Sequence, residues 1–97
     1  MMMVIVAYDV NTMEVAGQRR LRRVAKVCSK FGQRVQNSVF ECEVTPADYL
    51  LLKHDLFEIM DEEVDSLRFY NLGSKYSNKI EHRGVQRHIP VDGIMMI

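Results

Sequence analysis

Asp9 is a lone carboxylate closing the apolar run MMMVIVAYD, and one short loop later the chain turns strongly basic. From Gly17 to Gln36 it carries seven basic residues and no acid: Arg19, Arg20, Arg22, Arg23, Lys26, Lys30 and Arg34. Carboxylate oxygens are hard donors that suit Mg²⁺ or Mn²⁺. A row of cations can meet successive phosphates without reading a base. A carboxylate followed by a basic helix therefore fits a protein that handles phosphate backbones under a metal ion. Each half has a plainer reading, Asp9 as a cap on the next turn and the basic face as solvated surface. The basic run has no acid at helical i±4 spacing to consume its charges, which favours a polyanionic ligand. One carboxylate per chain makes a poor metal site, so a shared ion calls for two copies with Asp9 facing Asp9.

Other candidate chemistry is sparse. His54, His82 and His88 are scattered, with no Ser-His-Asp arrangement. Cys28 and Cys42 form no CxxC and read as free buried thiols in a reducing compartment. The apolar start is too short to span a membrane and lacks a basic signal-peptide leader, so a cytoplasmic location is expected.

The elements that must position these residues follow from periodicity. Ninety-seven residues form one domain with a thin core. Net charge is zero, but from Glu41 to Asp65 nine acids face a single Lys53, so an acidic and a basic face are expected. Met3–Asp9 reads as a strand that is apolar on both sides: Val4, Val6 and Tyr8 one way, Met3, Ile5 and Ala7 the other. Gln18–Phe31, or a turn more, reads as a helix with Leu21, Val24, Ala25, Cys28 and Phe31 inward. Its other face carries Arg19, Arg23, Lys26 and Lys30, flanked by Arg20 and Arg22. QRVQNSVFECEV reads as strands bent at Asn37-Ser38, and Phe40, Cys42 and Val44 alternate with Glu41 and Glu43. Thr45-Pro46 starts a second helix reaching about Met60, with Tyr49, Leu52, Leu56 and Ile59 inward. Asp65–Leu72 returns as a strand, and short strands are expected near Lys79–His82 and Gly93–Ile97. Tyr8 and Phe40 read most simply as core.

The order is β-α-β-β-α-β, an α+β ferredoxin-like domain spanning 1–97, with 74–97 an extension to dimer or partner contacts. Two helices cover one sheet face, so the doubly apolar first strand predicts a homodimer with sheets stacked face to face.

With these residues in view, the chain resembles the CRISPR-associated protein Cas-two family. The resemblance rests on Tyr8-Asp9-Val10, RLRRVAKVCSKFG, the block QRVQNSVFEC, SLRFYNLG and Glu81-His82-x-Gly84, the last two similar to the variant accompanying type I-C systems. It covers nearly the whole chain. It implies a ferredoxin-like homodimer with Mg²⁺-dependent endonuclease activity on RNA or duplex DNA, Asp9 being the metal ligand and catalytic residue. It also implies a role in spacer acquisition as the central dimer between copies of the adaptation integrase. Tyr8, Arg23, Arg34, Ser38 and Phe40 match family functional positions. Arg20 and Arg22 align with less certain register. Two roles follow, a nuclease and a non-catalytic DNA-binding scaffold.

Overall fold

The doubly apolar run forms β1 (Met2–Asp9) at the heart of the computed structural model, which describes residues 1–86. The remaining elements are α1 (Val15–Phe31), β2 (Gly32–Gln36), β3 (Val39–Val44), α2 (Pro46–Ile59) and β4 (Ser66–Gly73). The strands form one sheet in the order β2-β3-β1-β4, with every neighbouring pair antiparallel. This is the expected ferredoxin-like α+β arrangement. Non-adjacent strands flank β1 because each βαβ half crosses over a helix on the same side of the sheet.

Strand alternation sorts the residues into two faces. Val4, Val6 and Tyr8 join Phe40, Cys42 and Val44 on the face covered by the helices, where Val24, Ala25 and Cys28 of α1 and Leu52 and Leu56 of α2 complete the core. Each fully buried leucine contributes about 1.5–3 kcal/mol relative to exposure. Ile5, Ala7 and Val39 point the other way and are half-buried, with Glu41, Arg68 and Tyr70 on the same open face.

Local chemistry sets the helix ends. Thr45 Oγ1 accepts from the Asp48 amide at 3.1 Å, and Pro46 occupies the first turn, where its missing N–H costs nothing. α1 starts a turn before Gln18, as the sequence allowed. Its Gly17 passes so close to the preceding loop that a Cβ there would stand 1.8 Å from the Asn11 carbonyl oxygen. The bend at Asn37–Ser38 falls where expected, and the register shifts between Arg34 and Gln36.

The strand expected at Lys79–His82 is not formed. The Lys79 amide instead closes a turn on the Tyr76 carbonyl at 2.9 Å, and its ammonium donates to the Leu72 carbonyl at 3.0 Å. The Tyr76 hydroxyl donates to the Glu43 carboxylate, tying the segment after β4 to the open face. The strand expected at Gly93–Ile97 lies outside the described residues.

Candidate functional site

Asp9 ends β1, directly opposite Ser66 at the start of β4, and is exposed. Alternation from Ile5 and Ala7 places it on the open face, at the rim of the sheet. Its oxygens are hard donors of the kind a divalent cation takes. Among the described residues, however, no group of three or more His, Cys, Asp or Glu could hold a metal ion. One chain therefore offers a single carboxylate, and the residues fit Mg²⁺ or Mn²⁺ only with a second Asp9 brought alongside. His54 lies 3.4 Å from Asp55 on the outside of α2, and His82 contacts the Gly84 carbonyl at 2.9 Å. Neither approaches a ligand set. His88 lies outside the described residues.

The basic face of α1 is real and open. Arg19, Arg22, Arg23, Lys26 and Lys30 are spaced at helical intervals along a helix about 25 Å long, with Arg23, Lys26 and Lys30 among its exposed residues. Because α1 packs on the covered face, this stripe and Asp9 lie on opposite sides of the sheet. The sequence suggests one site made of carboxylate and basic helix. The fold separates them.

Four positions expected to meet nucleic acid are committed elsewhere. Tyr8 (6% exposed), Arg34 (8%) and Phe40 (1%) are interior, which bears out the core reading of the two aromatics. The Tyr8 and Phe40 rings stack at 6.2 Å, and the Arg34 guanidinium lies 5.4 Å from the Phe40 centroid. Arg34 stands opposite Phe40 in the β2–β3 ladder, so register turns it inward. Burial pushes the Tyr8 phenol up, opposed by the nearby Arg34 charge. These three residues buttress the strand that carries Asp9. Ser38 is half-buried, and its carbonyl accepts from the Tyr8 amide at 3.1 Å, fastening the β2–β3 bend beside Asp9.

Arg20 is the fourth. It donates through Nε to Asp65 at 2.7 Å and through Nη2 at 3.2 Å. Asp65 also accepts from the amides of Asn11 and Asp61, each at 3.0 Å. Burial pushes this carboxyl up. The Arg20 hydrogen bond, the two amides and the Arg20 charge more than offset it and hold Asp65 below the ordinary carboxylate value. Asp65 thus joins α1, the loop after Asp9 and the turn before β4. Sequence reasoning missed it, because its partner is 45 positions away. Its one signal was an acid immediately before a strand, amid acids that are otherwise exposed.

Both thiols are free and buried. Burial, with the neighbouring Cys42 charge, pushes Cys28 up to about 12, against a smaller pull from Arg34. Burial pushes Cys42 up to about 11. No helix of the described residues is long and apolar enough to cross a membrane.

A two-layer ferredoxin-like fold, with an exposed carboxylate ending a central strand and a cationic helix behind the sheet, defines a small α+β protein. The chain belongs to the family described as CRISPR associated protein Cas2, whose model matches residues 2–80. It is 50% identical over 96 residues to the CRISPR-associated endoribonuclease Cas2 of Chlorobaculum tepidum, covering 99% of this chain and 100% of that one. It is 50% identical over 91 residues to the CRISPR-associated endonuclease Cas2 of Halalkalibacterium halodurans, covering 94% of this chain and 95% of that one. The crystal structure of Streptococcus pyogenes Cas2 at pH 6.5 superposes with a TM-score of 0.76 at 58% identity, covering 86% of this chain and all of that one.

Proposed function

We propose that this protein is a CRISPR-adaptation endonuclease that cuts phosphodiester bonds as a homodimer, with Asp9 of each copy holding one Mg²⁺ or Mn²⁺. The observation that carries this reading is the exposed Asp9 at the rim of a sheet face whose Ile5, Ala7 and Val39 no helix covers among the described residues. Stacking two such faces about a two-fold axis buries those apolar groups and brings the carboxylates together. A cation held there neutralises phosphate charge and supplies an activated water. The names of its relatives, an endoribonuclease and an endonuclease, support the reaction class and leave RNA and duplex DNA as substrates. With a single metal ion held by one carboxylate from each copy, a modest rate is expected. The test is cleavage of labelled duplex DNA and single-stranded RNA with Mg²⁺, Mn²⁺ or EDTA. Metal-dependent cutting that disappears in Asp9→Ala supports the reading, and equal cutting by both proteins overturns it.

A second reading is favoured by the position of the α1 stripe, across the sheet from Asp9. There the dimer is a scaffold that holds duplex DNA against Arg19, Arg22, Arg23, Lys26 and Lys30 while it bridges integrase dimers in the cytoplasm. Charge reversal at Arg23 and Lys26 then abolishes spacer integration, whereas Asp9→Ala spares it.

A further inference from the structure

The open face is a poor landing place for a phosphate. Asp9, Glu41 and Glu43 all project from it, and nearby like charge repels a polyanion. The cations of α1 are across the sheet. The four strands contain only two basic residues, Arg34 and Arg68, and Arg34 faces the core. Arg68 is therefore the single cation that the strands present on the side of Asp9.

Its place is specific. Arg68 stands directly opposite Ala7 in the β1–β4 ladder, and Ser66 stands opposite Asp9. Arg68 is thus the same-face diagonal neighbour of Asp9, a relation of about 7–8 Å that a long side chain spans. It is exposed, its guanidinium lies 5.5 Å from the Tyr70 centroid, and no ion pair joins it to an acid among the described residues. A planar, permanently charged fork resting on an aromatic ring is suited to bidentate phosphate contact.

We propose that Arg68 is the phosphate-binding residue of the Asp9 site, gripping the phosphate to be cut or its immediate neighbour while the α1 stripe holds the rest of the polymer. This inference rests on the nuclease reading above. Loss of one charge-assisted donor at the reacting phosphate lowers the rate on the order of 10²-fold, and little of that loss should appear in overall binding.

The experiment compares wild type, Asp9→Ala, Arg68→Gln and Arg68→Lys on one labelled polymer with Mn²⁺. Binding of the same polymer in EDTA and sedimentation of each protein accompany it. The expected result is a kcat for Arg68→Gln lower by about 100-fold, partial recovery in Arg68→Lys, and EDTA binding and dimer content unchanged. Wild-type cutting that Arg68→Gln retains in full overturns the role of Arg68 and leaves the nuclease reading standing. Loss of cutting together with loss of the dimer also overturns it, because Arg68 is then an interface residue. No metal-dependent cutting by wild type overturns both.

Discussion

Replacing Asp65 by Ala is the most informative single perturbation of the frame around Asp9. The carboxylate accepts from Arg20 and from the amides of Asn11 and Asp61, and its side chain is 1% exposed. Removing one member of a buried pair costs about 3–5 kcal/mol when the other charge is left dry. Arg20 retains 18% exposure and regains water, which reduces that figure, while the two stranded amides add to it. A net loss of roughly 2–3 kcal/mol follows from these opposing corrections. At about 4–8 °C per kcal/mol for a domain of this size, the melting temperature should fall by roughly 8–24 °C. Wild type and variant are melted at equal protein concentration, because the proposed dimer would tie stability to concentration. The pH dependence checks the cause. The Asp65 carboxyl is held below its ordinary value when folded, so it contributes stability above that value, and the contribution is lost as pH falls through the folded one. The gap between the two proteins should be full at pH 7 and close as pH falls below about 4. A gap under about 0.5 kcal/mol at pH 7, the range of an ordinary surface change, would refute the argument.

Gly17→Ala should destabilise by about 1–3 kcal/mol, since the new methyl meets the Asn11 carbonyl oxygen, and an unshifted urea midpoint would show that the loop yields freely. Replacing Arg19, Arg23 and Lys26 by Gln should flatten the salt dependence of duplex binding by about 0.9 in log–log slope for each phosphate no longer neutralised, and an unchanged slope would place the DNA elsewhere. Cys28 and Cys42, pushed up to about 12 and 11, should resist a thiol reagent at pH 8 until the protein is unfolded in urea. Rapid labelling of the native protein would contradict their burial.

Periodicity carried most of the fold. The inward stripe of α1, the alternation of Phe40, Cys42 and Val44, and the Thr45 cap are local patterns, and each reappears in space. The two apolar sides of β1 also announced an open face still to be covered. What failed to show was pairing across distance. Arg34 counts as one more cation in a basic run until register sets it opposite Phe40. Arg20 looks free because its acid lies in another element, 45 residues on. Arg68 is inconspicuous in the sequence, since only the β1–β4 ladder makes it a neighbour of Asp9. Charge type can be read from a sequence, but the face that a charge occupies depends on register, and a one-residue slip exchanges the faces.

Under the proposed function, that dependence lets one thin domain hold a polymer and cut it without the two tasks colliding. The sheet separates the α1 stripe from Asp9, so substitutions on either side act independently, as distant sites generally do. Stacking two open faces covers Ile5, Ala7 and Val39 in their middle. Asp9 escapes that cover because it is the last residue of β1, opposite the first of β4, and therefore sits at the rim. A rim carboxylate can meet its twin across the two-fold axis and still be approached from outside. Two residues earlier, at Ala7, the same short carboxylate would be sealed between the sheets, whereas the long side chain of Arg68, opposite Ala7, spans the distance to the rim. Moving the acid inward, as Asp9→Ala with Ala7→Asp, should thus leave the polymer bound through α1 and uncut. Cutting by that double variant would show that the open faces do not stack.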